Sequence, residues 1–107
     1  MSRKPETVFK QALQGELRNI PKSIWFKTEA GALHGLPDIM GCVSGFFIAL
    51  EIKRSRSAVK KSKQYKLQKY YLDCIRACGG FGEFVYPENV QEILLAIKNL
   101  GKRKRLH

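Results

Sequence analysis

Asp38, Glu51 and Lys53 have the types and spacing to hold a cation beside a reacting water. Two apolar segments, about Asp38 to Val43 and Phe46 to Lys53, are joined by Ser44-Gly45, a dipeptide suited to a two-residue hairpin turn. Counting outward from a Val43–Phe46 pair brings Asp38 directly opposite Glu51. The two carboxylates then share one face with Cβ atoms ~5 Å apart. Lys53, two residues beyond Glu51, projects from that same face. A slip of one residue would send the acids to opposite faces. Opposed carboxylates repel, and a divalent cation between them is the simplest compensation. Mg²⁺ takes oxygen ligands, usually from one or two carboxylates, and keeps waters that exchange with phosphate. The Lys53 ammonium would orient the water or offset charge developing on phosphorus. A bare Glu-x-Lys triplet also occurs on solvated sheet faces. Its weight here comes from the apolar run Phe46-Phe47-Ile48-Ala49-Leu50 before it, Pro37-Asp38 on the partner strand and the basic segment after it.

The elements that must position these residues are legible in the periodicity. Pro5 and Glu6 open a helix with Phe9, Leu13, Leu17 and Ile20 at helical spacing, and Pro21 ends it. Ser23 to Thr28 reads as a strand, Glu29 to Gly35 as a loop, and the hairpin follows. Lys53, Arg54, Arg56, Lys60, Lys61, Lys63 and Lys66 form a basic stretch without apolar rhythm, whose first half is expected to be a mobile loop. Leu67, Tyr71, Cys74, Ile75 and Cys78 predict a helical stripe that stops at Gly79-Gly80. Glu83 to Tyr86 reads as a strand ended by Pro87. Val90, Ile93, Leu94, Ile97 and Leu100 predict a last helix terminated at Gly101. The order is αβββαβα, an α/β class, with no internal repeat and no linker. A single domain over residues 1–107 is expected, its core about 5–100, followed by a basic tail at 101–107.

The charge balance narrows the partners. Twenty Lys and Arg against nine Asp and Glu give +11, an excess that attracts polyanions and suits a nucleic acid. Charge alone does not separate an enzyme from a passive basic binder. Three cysteines, Cys42, Cys74 and Cys78, cannot all pair within one chain, and with only His34 and His107 nearby they read as small buried hydrophobes rather than metal ligands. No apolar run approaches the ~18 residues of a membrane span, and Met-Ser-Arg-Lys-Pro-Glu leads into no signal-type segment. A soluble cytoplasmic protein without a membrane partner is therefore expected.

Gly35-Leu36-Pro37-Asp38, twelve intervening residues, then Glu51-Ile52-Lys53 resembles the signature of the PD-(D/E)XK nuclease superfamily. Gln68-Lys69 with Leu72 and Ile75, closing on Gly79-Gly80, is similar to the glutamine helix of its VRR-NUC family, and Glu6 stands where that family has an N-terminal acid. The resemblance spans about Glu6 to Tyr86. It implies a restriction-endonuclease-like core with a central mixed sheet flanked by helices. It also implies that Asp38, Glu51 and the Ile52 carbonyl bind Mg²⁺ or Mn²⁺, with Glu6 completing the cluster directly or through water. Lys53 would then position the attacking water and Gln68 would act by hydrogen bonding. Glu16, late in the helix, competes with Glu6 for the N-terminal role. Stand-alone domains of this kind resemble Holliday-junction resolvases and are associated with recombination and repair in bacteria and their phages.

The expected function is accordingly a metal-dependent, structure-directed DNA endonuclease acting on branched DNA such as four-way junctions. A flap or restriction-type nuclease with the same site, or a basic nucleic-acid binder without chemistry, remains the alternative. Candidate phosphate contacts are Lys27, His34, Arg54, Arg56, Lys60, Lys61 and Lys63; a lone loop histidine such as His34 is more often a plain loop residue, and Lys27 is equally explicable as an exposed strand end. Lys102 to Arg105 is either a DNA-binding arm or a solvated end. Trp25, Phe26 and Phe47 alternate within apolar strands and read as core rather than as base-stacking platforms. Two incisions in a junction call for a two-fold homodimer, for which Tyr70, Phe81, Phe84 and Leu95 are surplus apolar candidates.

Overall fold

A four-stranded mixed sheet with helices on both faces carries the site. The computed structural model describes residues 5–29 and 34–102. The elements are α1 (Pro5–Arg18), β1 (Ser23–Lys27), β2 (Ile39–Val43), β3 (Phe46–Ile52), a 3-10 helix (Arg56–Lys61), α2 (Tyr65–Ala77), β4 (Phe81–Val85) and α3 (Val90–Leu100). The sheet order is β1-β2-β3-β4, antiparallel in the first two pairings and parallel between β3 and β4. A parallel pair needs a crossover connection, which the 3-10 helix and α2 provide.

The hairpin forms in the register counted from sequence. Ser44 and Gly45 have φ of 50° and 89°, both in the left-handed region that a type I′ turn demands. Glycine adopts that geometry freely, and Ser44 is helped by donating its N–H to the Lys22 carbonyl at 3.0 Å. The ladder runs from Val43 opposite Phe46 to Ile39 opposite Leu50, leaving Asp38 and Glu51 one step beyond it, facing each other.

Alternation along these strands divides the apolar residues between two layers. Ile39, Val43, Ile48, Leu50, Ile52 and Val85 form one cluster with Leu13 and Leu17 of α1 and Ile93, Leu94 and Ile97 of α3. Trp25 lies across β2 on that side because residue 41 has no side chain: a Cβ on Gly41 would fall 2.5 Å from the indole Cε3 and 2.3 Å from the Ile24 carbonyl oxygen. The indole Nε1 donates to Ser23 Oγ at 3.0 Å, and Ser23 Oγ donates to the Ile20 carbonyl at 2.6 Å. On the other face α2 packs over β3 and β4. A Cβ on Gly82 would touch the Leu72 backbone, one on Gly80 would meet Ile75, and Tyr65 stacks on Phe84 with centroids 5.8 Å apart.

Several expectations are corrected. The first half of the basic segment is not simply a loop, because Arg56–Lys61 closes into a 3-10 helix. Its Arg56 N–H donates to the Glu88 carboxylate. The fourth strand starts at Phe81 rather than Glu83. In α2 the buried positions are Gln68 and Leu72, while Leu67, Cys74 and Cys78 are exposed. The cysteines are thus free thiols at the surface or half-buried, not core hydrophobes. The apolar stripe is centred one residue away from the buried face because one of that face's two buried positions holds the polar Gln68. Phe26 and Phe47 are exposed rather than core, since α2 covers the β3–β4 side of its face and leaves Ile24, Phe26 and Phe47 outside. Phe81 packs against the core and Phe84 against Tyr65, so neither is surplus; Tyr70 and Leu95 are exposed. Residues 30–33 of the expected loop and Arg103 to Arg105 of the tail lie outside the described residues.

Candidate active site

Asp38 and Glu51 meet at the end of the β2–β3 hairpin, close enough for Asp38 to act on the Glu51 carboxyl through hydrogen bonding and charge. Asp38 is held from both sides. Its Oδ2 accepts the Ile52 N–H at 2.8 Å, and its carbonyl accepts the Thr28 N–H at 2.8 Å, extending the β1–β2 pairing past Lys27. The preceding turn is fixed by Gly35 at φ 80°, where a Cβ would fall 2.6 Å from Leu67 Cγ, so the chain reaches Asp38 pressed against α2. Glu51 is only 5% exposed at the end of an otherwise apolar strand. Burial, then the Asp38 hydrogen bond and charge, push its carboxyl up to about 9 against the opposing pull of Lys53 and Lys10. At neutral pH the pair therefore holds a proton in the metal-free protein.

Two clefts open on this pair. The larger, of ≈ 520 Å³, runs between α1 and α2 and is lined by Lys10, Gln14, Lys27, His34, Gln64 and Gln68 together with Asp38, Glu51 and Ile52. The second, of ≈ 360 Å³, is lined by Glu6, Lys10, Lys53, Arg54 and Lys61 with the same three residues. The residues read from sequence are thus largely brought together. Lys53 is anchored by its N–H to the Val85 carbonyl at 2.8 Å, and its ammonium acts on Glu51. Gln68 is 7% exposed, and its Oε1 has no hydrogen-bond partner among the described residues. His34 lies 3.0 Å from Gln64 Nε2 through its Nδ1. Arg56 and Lys60 stand apart, on a third cleft beside β4, and Lys63 is exposed on the segment leading to α2.

Glu6 reaches the site by way of Lys10. The Lys10 ammonium lies 3.8 Å from Glu6 Oε1 and 3.9 Å from Asp38 Oδ1, a bridge between the helix acid and the hairpin acid. Glu16 is exposed about 15 Å further along α1 and lines neither cleft. Lys10, Gln14 and Gln64 are site residues that sequence reasoning missed. The first two had a signal, the four-residue spacing of Glu6, Lys10 and Gln14, which stacks them on one side of α1.

Among the described residues no group of three or more His, Cys, Asp and Glu side chains gathers as a metal cluster. The donors present are two carboxylates in contact, the backbone at Ile52 and the orphaned Gln68 Oε1, all oxygen. That set suits a hard cation such as Mg²⁺ or Mn²⁺, which one or two carboxylates commonly hold. It is a poor match for Zn²⁺, whose protein sites are built mainly from Cys and His. No helix among the described residues is long and apolar enough to cross a membrane. Comparison with protein-family models, curated proteins and solved structures finds no match.

Proposed function

We propose that this chain is a metal-dependent nuclease that hydrolyses DNA phosphodiesters, with a PD-(D/E)XK core of VRR-NUC type and branched DNA, four-way junctions among them, as substrate. One observation carries the reading: an acid pair in contact, with Glu51 almost wholly buried, at the junction of two clefts and flanked by Lys10 and Lys53. Burying a carboxyl beside another carboxylate costs stability, and a cation exchanged for the shared proton offsets that cost. A passive DNA binder has no use for acids at the floor of its basic clefts, where they repel phosphate.

Asp38, Glu51 and the Ile52 carbonyl would hold Mg²⁺ or Mn²⁺, with Glu6 at the rim acting directly or through water. The bound cation supplies Lewis-acid stabilisation of the phosphoryl oxygens and eases deprotonation of the attacking water. Lys53 orients that water and offsets the negative charge that grows on phosphorus. Gln68 Oε1, unsatisfied on the cleft wall, would accept a hydrogen bond from a group brought in with the substrate. Lys27 in one cleft and Arg54 and Lys61 in the other take the flanking phosphates, which position the strand without reading sequence. Hydrolysis leaves a 5′-phosphate and a 3′-hydroxyl. Opposed incisions in a junction are supplied by a two-fold pair of chains.

The test is a panel of labelled duplex, flap and four-way-junction DNAs incubated with Mg²⁺ or Mn²⁺. Asp38→Asn, Glu51→Gln and Lys53→Ala should each abolish cutting while the circular-dichroism spectrum stays native. Cleavage that persists in EDTA, or undiminished cutting by Glu51→Gln, refutes the proposal.

A further inference from the structure

The third cleft, of ≈ 380 Å³, lies between the 3-10 helix and the end of β4 and combines aromatic and basic groups outside the acid pair. Phe84 and Tyr86 form its floor, and Arg56 and Lys60 of the 3-10 helix form its wall. The Arg56 guanidinium sits 5.7 Å from the centroid of the Tyr86 ring, a cation–π contact. The acids nearby are engaged: Glu83 pairs with Arg76 at 3.2 Å, and Glu88 accepts the Arg56 N–H. With Asn89 also engaged, bonded to the Tyr86 N–H and the Phe84 carbonyl, the charge left facing the cleft is cationic, beside the two rings and the small side chains of Ser57 and Val59.

Sheet register ties this cleft to the acid pair. Phe84 is the direct neighbour of Glu51 on the parallel strand, and Lys53 donates its N–H to the Val85 carbonyl, setting it beside Tyr86. Adjacent strands are ~4.8 Å apart, so the aromatic floor begins one strand from the acids. The 3-10 helix divides the two clefts, turning Ala58 and Lys61 toward the acid side and Arg56 and Lys60 toward the aromatic side. Duplex DNA presents phosphates to a basic wall but keeps its bases stacked. A ring floor with an arginine above it matches the face of a base freed from the stack, with Lys60 beside it for the phosphate.

We propose that the cleft formed by Arg56, Lys60, Phe84 and Tyr86 binds an unpaired nucleotide of the DNA strand whose neighbouring phosphate lies at Asp38 and Glu51. This deepens the nuclease reading and rests on it, naming the substrate class as DNA with an unpaired residue beside the point of cutting. The base takes the place of the Arg56 guanidinium on the Tyr86 ring, the guanidinium turning to the outer face of the base, and the nucleotide's phosphate pairs with Lys60.

The experiment is a binding titration in EDTA, so that cutting plays no part. Its probes are a short blunt duplex and the same duplex with a short unpaired tail carrying 2-aminopurine, one version for each end. The wild-type chain should bind a tailed duplex about tenfold more tightly than the blunt one, the size of one base–aromatic stack, and should quench the 2-aminopurine. Tyr86→Leu and Arg56→Gln should each lose the tail's advantage and the quenching while keeping blunt-duplex affinity, and Tyr86→Phe should retain both. Arg56 is exposed, so its variant reports even where a change at half-buried Tyr86 disturbs folding. Equal wild-type affinity for blunt and tailed DNA, or quenching that survives in Arg56→Gln, overturns the proposal while leaving the nuclease reading standing. Failure to bind either DNA overturns both.

Discussion

Replacing Glu51 by glutamine should change how the stability of the metal-free protein depends on pH. Folding moves the Glu51 carboxyl from 4.5 up to about 9, chiefly through burial. Between those values the native state keeps a proton that the unfolded chain has released. The stability conferred by that proton is complete below 4.5 and is lost as the pH rises through about 9. Within the window the loss runs at about 1.4 kcal/mol per pH unit. Going from pH ~5 to pH ~7 thus removes about 3 kcal/mol, a large part of the roughly 5–15 kcal/mol typical of a small domain. Glutamine is neutral at every pH, nearly the same shape and able to donate to Asp38, so its stability lacks this slope. Urea unfolding of both proteins in EDTA, at steps from pH ~5 to pH ~8, measures the difference directly. The wild-type midpoint should fall steadily relative to Glu51→Gln. Saturating Mn²⁺ should flatten the wild-type curve, because the cation replaces the proton and its affinity then rises about tenfold per pH unit. Parallel curves for the two proteins in EDTA would refute the account of Glu51 as a buried, protonated acid.

Lys10→Ala should bind Mn²⁺ more tightly, by roughly tenfold, since an ammonium 3.9 Å from Asp38 competes with a cation there. Isothermal titration calorimetry checks this without DNA, and an unchanged affinity would remove Lys10 from the site's charge balance. Replacing Lys60, Lys61 and Lys63 together by alanine should reduce the slope of log affinity for tailed duplex DNA against log salt by ~1 for each phosphate no longer neutralised. An unchanged slope in that triple variant would return the segment to ordinary solvated surface.

How far the site is legible in the sequence follows from which signals are local. The Val43–Phe46 hairpin is readable because a two-residue turn fixes the register of everything beyond it. The Asp38–Glu51 pairing and the place of Lys53 follow from counting. Helix α1 announces itself through Pro5, its apolar spacing and Pro21. What the sequence hides depends on neighbours distant along the chain. Only the family resemblance marks Gln68 as a site residue; periodicity does not reveal that it is buried on the cleft it shares with Glu51, and hydrophobicity alone centres α2 on Leu67 and Cys74 instead. Phe26 and Phe47 alternate as core strand residues do, but only the position of α2 over β3 and β4 decides that they stay outside. The 3-10 helix has no apolar period to announce it; its N-terminal end is tied down by Glu88, 32 residues away.

The placement of the polar residues is hard to explain by stability alone. Ile48, Ala49, Leu50, Glu51 and Ile52 run buried in succession along β3, and an apolar residue in place of Glu51 would remove both the desolvation of a carboxyl and its conflict with Asp38. Gln68 repeats the pattern on the helix above, with an enclosed acceptor that no donor among the described residues satisfies. These costs fall on residues that line one cleft, and the charges of Lys10 and Lys53 offset them only in part. Unrelated tolerances would be scattered over the fold. A cation beneath a phosphate would relieve all three costs together: it neutralises the acid pair, releases the shared proton and brings donors to the cleft.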